Sequence, residues 1–213
     1  MCGRFFVEGE SENELLSRMI REAERRQRAL TGEETVARGE VFPTAVIAAL
    51  AMGRNGQPGA FPMEWGFHRP GGKGLIINTR SETALDKPLF RAAMLERRCL
   101  VPCSWYFEWG EGPSLQIQAE AAGKGGKAVK TKYAIRPEAP GILYLAGIYR
   151  YEAARTLPAL SILTRPPAAS IAFIHDRMPV IFSEKNRDAW LDRAADPRQA
   201  LTLCEQDMIF RAA

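Results

Sequence analysis

The chain is poor in the residues and runs that would settle its class at once. Of 213 residues only four are cysteines and two are histidines, and no apolar run approaches the ~20 residues a membrane-spanning helix needs. Cys2, Cys99, Cys103 and Cys204 are too few for a disulfide scaffold, which points to a reducing, cytoplasmic setting. Cys99 and Cys103 have a zinc-like spacing, but no second ligand pair accompanies them, so no metal and no cofactor are expected. The start, Met1-Cys2-Gly3-Arg4-Phe5-Phe6, runs into charged sequence where a signal peptide would have its apolar region. Charge of one sign is also scarce. Lys+Arg is 29 against Asp+Glu 25, a net +4 that permits nucleic acid as a partner without requiring it. What is present is a globular composition, 46% hydrophobic and 25% charged, at a length that suits one domain over 1–213.

Periodicity predicts an α+β fold with short antiparallel or mixed strands, forming a twisted sheet or partly open barrel with helices at its margins. Residues 11–30 read as a helix. Ser11 is its expected cap and Glu14 the capping-box partner, with Leu15, Leu16, Met19, Ile20, Ala23 and Leu30 in register. Arg21, Arg25, Arg26 and Arg28, interleaved with Glu22 and Glu24, read as a solvated face. Strands are expected at Cys2–Val7, Val46–Ala51, Ala60–Phe67, Leu75–Ile77, Cys99–Val101, Trp105–Trp109, Tyr133–Arg136, Leu143–Tyr149 and Leu160–Leu163. Further helices are expected at Lys87–Arg98 after an Asp86 cap, at Ser183–Arg193 with Trp190 and Leu191 facing in, and at Pro197–Glu205 after Asp196. Residues 110–131, rich in Gly, Lys and Ala, read as an exposed loop.

The informative positions are polar residues that interrupt apolar sequence. Asn78 follows Leu75-Ile76-Ile77, Glu108 sits within Trp105-Tyr106-Phe107-Glu108-Trp109, and His175 and Arg177 lie between two apolar runs. A carboxyl buried among aromatics has its pKa raised and suits general acid or base work. The plainer readings are that Glu108 points to solvent or pairs with a buried Arg, that His175 is a core histidine, and that Asn78 caps a turn. His68, at an expected turn, carries no assignment.

Cys2 is chemically special if Met1 is removed, as happens when a small residue follows. It then carries a free α-amine, with a pKa of ~7.7–8.0, beside a thiol of ~8.5. An exposed thiol next to Arg4 would ionise more readily. The amine condenses with an aldehyde to an imine, and attack of the thiol on the imine carbon closes a thiazolidine ring.

Ordered along the chain, Met1-Cys2-Gly3-Arg4-Phe5, Trp65-Gly66, Ile77-Asn78-Thr79-Arg80-Ser81-Glu82-Thr83, Arg98-Cys99-Leu100-Val101-Pro102, Phe107-Glu108-Trp109, Ser161-Ile162-Leu163-Thr164 and His175-Asp176-Arg177-Met178-Pro179 form a specific set. The chain resembles the SOS-response-associated peptidase family of abasic-site-processing proteins. The resemblance implies binding of single-stranded DNA at an abasic site and a covalent thiazolidine crosslink through Cys2 that protects the lesion, with a possible lyase or crosslink-reversing side activity. It implies that Asn78 orients Cys2, that Glu108 opens the sugar ring and shuttles protons, and that His175 assists the imine step. Arg4, Trp65, Arg80, Thr164 and Arg177 would line the DNA groove, Trp65 by stacking on a base. With few phosphates contacted, a modest salt slope is expected. The chain departs from the family at Ser104-Trp105, where Asp-Gly is usual, and at Thr44-Ala45, where a Tyr-Asn pair is usual.

Two other functions fit the same residues. One is a cysteine peptidase with Cys2 as nucleophile and His175 as base, as the older family name suggests. The other is a non-covalent single-strand-binding module. Nothing in the sequence demands more than a monomer.

Overall fold

Strands from both near and distant parts of the chain pair to build the architecture. The computed structural model describes residues 2–9, 13–110, 130–153 and 155–213. In chain order the elements are β1 (Phe5–Val7), α1 (Glu14–Thr31), β2 (Gly39–Val41), β3 (Val46–Met52), β4 (Pro58–Trp65), β5 (Phe67–His68), β6 (Leu75–Ile76), β7 (Asn78–Arg80), α2 (Ser81–Ala84), α3 (Pro88–Glu96), β8 (Arg98–Cys103), β9 (Trp105–Gly110), β10 (Thr131–Pro137), β11 (Leu143–Arg150) and β12 (Ala159–Arg165). A 3-10 turn (Ala169–Ile171) follows, then β13 (Met178–Pro179), β14 (Ile181–Phe182), α4 (Arg187–Leu191), α5 (Pro197–Leu201) and β15 (Met208–Ala212). The fold is α+β. No helix among the described residues is long and apolar enough to cross a membrane.

An eight-stranded mixed sheet runs β13-β12-β4-β3-β8-β11-β14 with β7 added beside β12, and β12 also pairs with β11, which closes the middle into a ring. β12 pairs in parallel with β4 and β7, with Ile162 opposite Asn78, and the remaining pairs are antiparallel. β8 is buried along its whole length and β11 along all but its last residue, so both read as unbroken apolar runs rather than alternating ones. A second, five-stranded sheet runs β15-β10-β9-β1-β2. Here alternation survives: Phe5, Tyr106 and Ile135 point into the core, and Phe6, Trp105 and Trp109 point out.

Several boundaries differ from the sequence expectation. α1 begins at Glu14, capped by Asn13, whose Oδ1 accepts from the Leu16 amide at 3.0 Å; Ser11 lies outside the described residues. Glu14 instead pairs with Arg21. The helix ends at Gly32, whose positive φ of 79° turns the chain out of the helix. Leu30, expected in the apolar stripe, is exposed. The arginine face is solvated and laced with ion pairs, including Arg26–Glu22 at 2.6 Å and Arg38–Glu24 at 2.6 Å. α3 lacks the Asp86 cap and stops at Glu96, leaving Arg98 to open β8. The Ser183 helix shrinks to α4 because Asn186 Oδ1 accepts from the Ser183 amide at 2.8 Å and holds a turn there; Trp190 and Leu191 are buried as expected. α5 keeps its Asp196 cap but is shorter than expected. Gly110 and Thr131, expected in the loop, close β9 and open β10, and the expected loop over 111–129 lies outside the described residues. β15 was not expected from the sequence at all.

Candidate functional site

The two sheets meet where β1 leaves Cys2 and where the parallel β7–β12 seam ends. Asn78, at the start of β7, donates from Nδ2 to the Cys2 carbonyl at 2.8 Å. The seam fixes this reach: the Ile162 amide donates to the Ile77 carbonyl at 3.0 Å, and Thr79 and Ser161 share a buried hydroxyl contact at 2.9 Å. Glu108, in β9, is 5% exposed and lies within electrostatic reach of both Cys2 and His175. Burial pushes its carboxyl above the usual range, partly offset first by the terminal amine and then by His175.

Gly110 lets His175 approach. A Cβ there would sit 2.6 Å from Ile174 Cα, so only glycine allows the segment before His175 to lie against the end of β9. His175 Nδ1 accepts from the Arg177 amide at 3.0 Å and lies 2.7 Å from Asp176 Oδ1. One nitrogen cannot serve both partners at once. Nδ1 accepts from the amide when it carries no hydrogen and donates to the carboxylate when it does, so the imidazole keeps an anchor in either tautomer.

Cys2 departs from expectation. It is 0% exposed, and Sγ contacts the Arg4 carbonyl at 3.9 Å rather than the Arg4 guanidinium. Burial first, and then the Glu108 charge, push the thiol up rather than down. Arg4 cannot act on it because Glu40 holds its guanidinium at 3.0 Å. All four cysteines are buried free thiols. The Tyr106 hydroxyl, on the same side of β9 as Glu108, is buried without a hydrogen-bond partner among the described residues; burial, and then the charges of Cys2 and Glu108, push its pKa up.

The expected DNA-lining residues divide. Arg80 is exposed with no ion pair to a described residue, and Arg4 is half-exposed over the rings of Phe42 and Trp109, at 4.4 and 4.6 Å. The other three face inward. Trp65 is 0% exposed, packs on Phe5 at 5.1 Å and donates from its indole to the Ile77 carbonyl at 3.0 Å, so it has no face for a base. Arg177 is buried and bonds Glu82 twice, at 2.5 and 2.8 Å, and its guanidinium also donates to the Thr164 carbonyl at 2.7 Å. Thr164 is buried beneath it. Arg177 holds Glu82 down to about 2. These residues brace the wall of the site.

Phe42, Trp109 and Lys132 were not singled out by sequence reasoning. Lys132 joins Arg4 on Glu40 at 2.9 Å, and the signal available was the alternation of aromatics along β9. His68, left without assignment, pairs with Glu152 at 2.7 Å, away from Cys2.

Residues 1–210 match the profile of the family described as SOS response associated peptidase (SRAP). The chain belongs to the SRAP family. This SRAP chain is 26% identical over 214 residues to the abasic site processing protein YoqW of Bacillus subtilis, covering 92% of the chain and 83% of that protein. It is 28% identical over 164 residues to the B. subtilis abasic site processing protein YobE, covering 71% of the chain and 67% of that protein. Among solved structures, a Bacteroides thetaiotaomicron protein superposes with TM-score 0.72 at 18% identity, covering 99% and 91% of the two chains. A phage-related protein of Bordetella bronchiseptica superposes with TM-score 0.67 at 18% identity, covering 100% and 94%. These two likenesses show that the SRAP chain shares their fold.

Proposed function

We propose that this protein recognises abasic sites in single-stranded DNA and, once Met1 is removed, captures them covalently through Cys2 as a cytoplasmic monomer acting in the DNA-damage response. The reading is supported by the family and by the names of the curated relatives. The observation that carries it is the grouping of Asn78 on the Cys2 carbonyl with Glu108 in electrostatic reach of both Cys2 and His175.

The chemistry starts at nitrogen. While Met1 is attached, the Cys2 nitrogen is an amide, and its release leaves an amine held in place by Asn78. Glu108, kept protonated above the ordinary carboxylate range, donates to the ring oxygen of the deoxyribose and takes up the proton of the anomeric hydroxyl, so the ring opens to the aldehyde and Glu108 is an acid again. The amine attacks the aldehyde carbon: a C–N bond forms and the amine proton passes to oxygen. Glu108 then protonates the departing hydroxyl, water leaves, and an iminium remains. The Cys2 sulfur attacks that carbon, its proton passes to Glu108 or His175, and the ring closes. The net change is aldehyde plus aminothiol to thiazolidine plus water.

The raised thiol pKa fits this order. A sealed thiol resists ionisation until a cation forms beside it, and the iminium is that cation. A peptidase needs a thiolate before any substrate bond forms, so the buried neutral thiol favours the imine-first route. Arg4 and Arg80 hold phosphates on either side of the lesion.

The test is a denaturing gel of Met1-free protein with an abasic single strand and no reductant, paired with intact mass. The expected result is a shifted band whose mass is protein plus oligonucleotide less one water, abolished by acetylating the terminal amine. Absence of the band would sink the reading, and persistence after acetylation would transfer it to a simple thiol nucleophile.

A further inference from the structure

The outward face of the five-stranded sheet has a regular pattern that the capture chemistry does not use. Along β9, Trp105, Phe107 and Trp109 share one side of the strand, spanning about 13 Å. The neighbouring strands lay cations across them. Lys132 Nζ lies 3.9 Å from the Phe107 ring centre and 5.8 Å from that of Trp109. Arg136 and Arg211 lie 5.1 and 4.5 Å from the Trp105 ring. The register requires this arrangement: Lys132 sits opposite Trp109, and Ala134, opposite Phe107, lies beside Arg211 on β15. Arg211 is exposed and makes no ion pair with a described residue, and Glu40 is the one carboxylate among the described residues in salt-bridge contact with the cations of this face.

Aromatic rings with interleaved guanidinium and ammonium groups on an open sheet suit a single-stranded nucleic acid, whose bases offer flat faces and whose phosphates seek cations. The pattern begins at Arg4 over Trp109, beside Cys2, and runs away from the site to Trp105, where this chain departs from the usual family Asp-Gly. Resting on the capture reading above, we propose that single-stranded DNA flanking the lesion continues across this face, ending on the Trp105–Arg136–Arg211 cluster. Trp109 provides apolar contact near the lesion, Phe107 lies buried beneath Lys132 and holds it in place, Trp105 supports a base farther along, and Arg211 and Lys132 meet phosphates. Sequence is not read, because rings and cations accept any base.

The experiment measures anisotropy of labelled, undamaged oligonucleotides, so that it does not depend on crosslinking. Strands with a long arm on one side, on the other, or on neither are compared for the native chain, Arg211→Glu and Trp105→Leu. The native chain is expected to favour one long-armed strand by roughly tenfold over the short one. Each variant should erase most of that preference, and Arg211→Glu should lower the salt slope by about 0.7 for the lost phosphate contact. A duplex of equal length should show no such loss. The proposal is overturned if the native chain shows no arm preference, if both variants keep it, or if the duplex loses as much as the single strand. If the arm effect appears while the abasic strand gives no covalent band, the face stands and the capture reading fails. If the band forms and the arm effect is absent, the reverse holds.

Discussion

The two walls of the site differ in what burial does to their polar groups. On the β7–β12 side, Arg177 bonds both Glu82 oxygens and the Thr164 carbonyl, and Thr79 bonds Ser161. On the β1–β9 side, Glu108 has its pKa raised, Cys2 is sealed with its thiol pushed up, and the Tyr106 hydroxyl is buried without a described partner. Motif residues therefore fall into two kinds. One wall is finished as a scaffold; the other holds groups that desolvation biases towards their neutral forms, which is how a reactive site stores its driving force.

The contrast breaks most sharply at Cys2. Cys2→Ala should abolish the reductant-free crosslink completely, and Cys2→Ser should leave at most an imine trapped by borohydride; either variant forming a stable adduct would show that the ring does not close through sulfur. Next in size is Glu108→Gln. Loss of general acid catalysis should slow crosslinking roughly 10²-fold. Stability should move the other way. A carboxyl raised in the folded state costs stability above its folded pKa, so the native protein gains stability as pH falls through that value. Glu108→Gln should remove that gain and be the more stable protein at pH 8, as read by denaturant unfolding at pH 5 and 8.

On the scaffold wall the signs reverse. Glu82→Gln should cost about 1–3 kcal/mol, less than a fully buried pair because the Glu82 carboxylate is 42% exposed. Glu82 is depressed to about 2, so its contribution is full above the ordinary carboxylate pKa of ~4.3 and fades as pH falls towards 2. The variant should show a flatter acid limb in that window, with crosslinking on saturating DNA slowed far less than by Glu108→Gln. The smallest effect belongs to Tyr106→Phe. Removing a buried hydroxyl without a described partner should leave the melting temperature unchanged or slightly higher. A clear drop would mean that the two walls are more alike than described.

Asn78, Glu108 and His175 were legible because each breaks an apolar run, and Cys2 because a small residue follows Met1; the chain does bring them together. That Trp65, Thr164 and Arg177 face inward was not legible, because motif order does not reveal which side of a parallel seam a side chain takes. Arg98, another motif residue, is also a staple: its guanidinium reaches the carbonyls of Asp192 and Ala195 and lies over Trp190. β15 escaped notice because its partner, β10, lies some 70 residues earlier and nothing local marks a strand. β1, which faces Tyr106 of β9 about 100 residues later, depends on the same kind of distant pairing. Short helices shrank where a side chain such as Asn186 offered the backbone a competing turn.

The packing around Cys2 has a further consequence for its shelf life. Disulfide exchange, alkylation and peroxide all act on the thiolate, and a sulfur kept protonated inside the protein presents very little of it. The thiol is thus kept in an unspent form, quiet towards the many electrophiles and oxidants it meets.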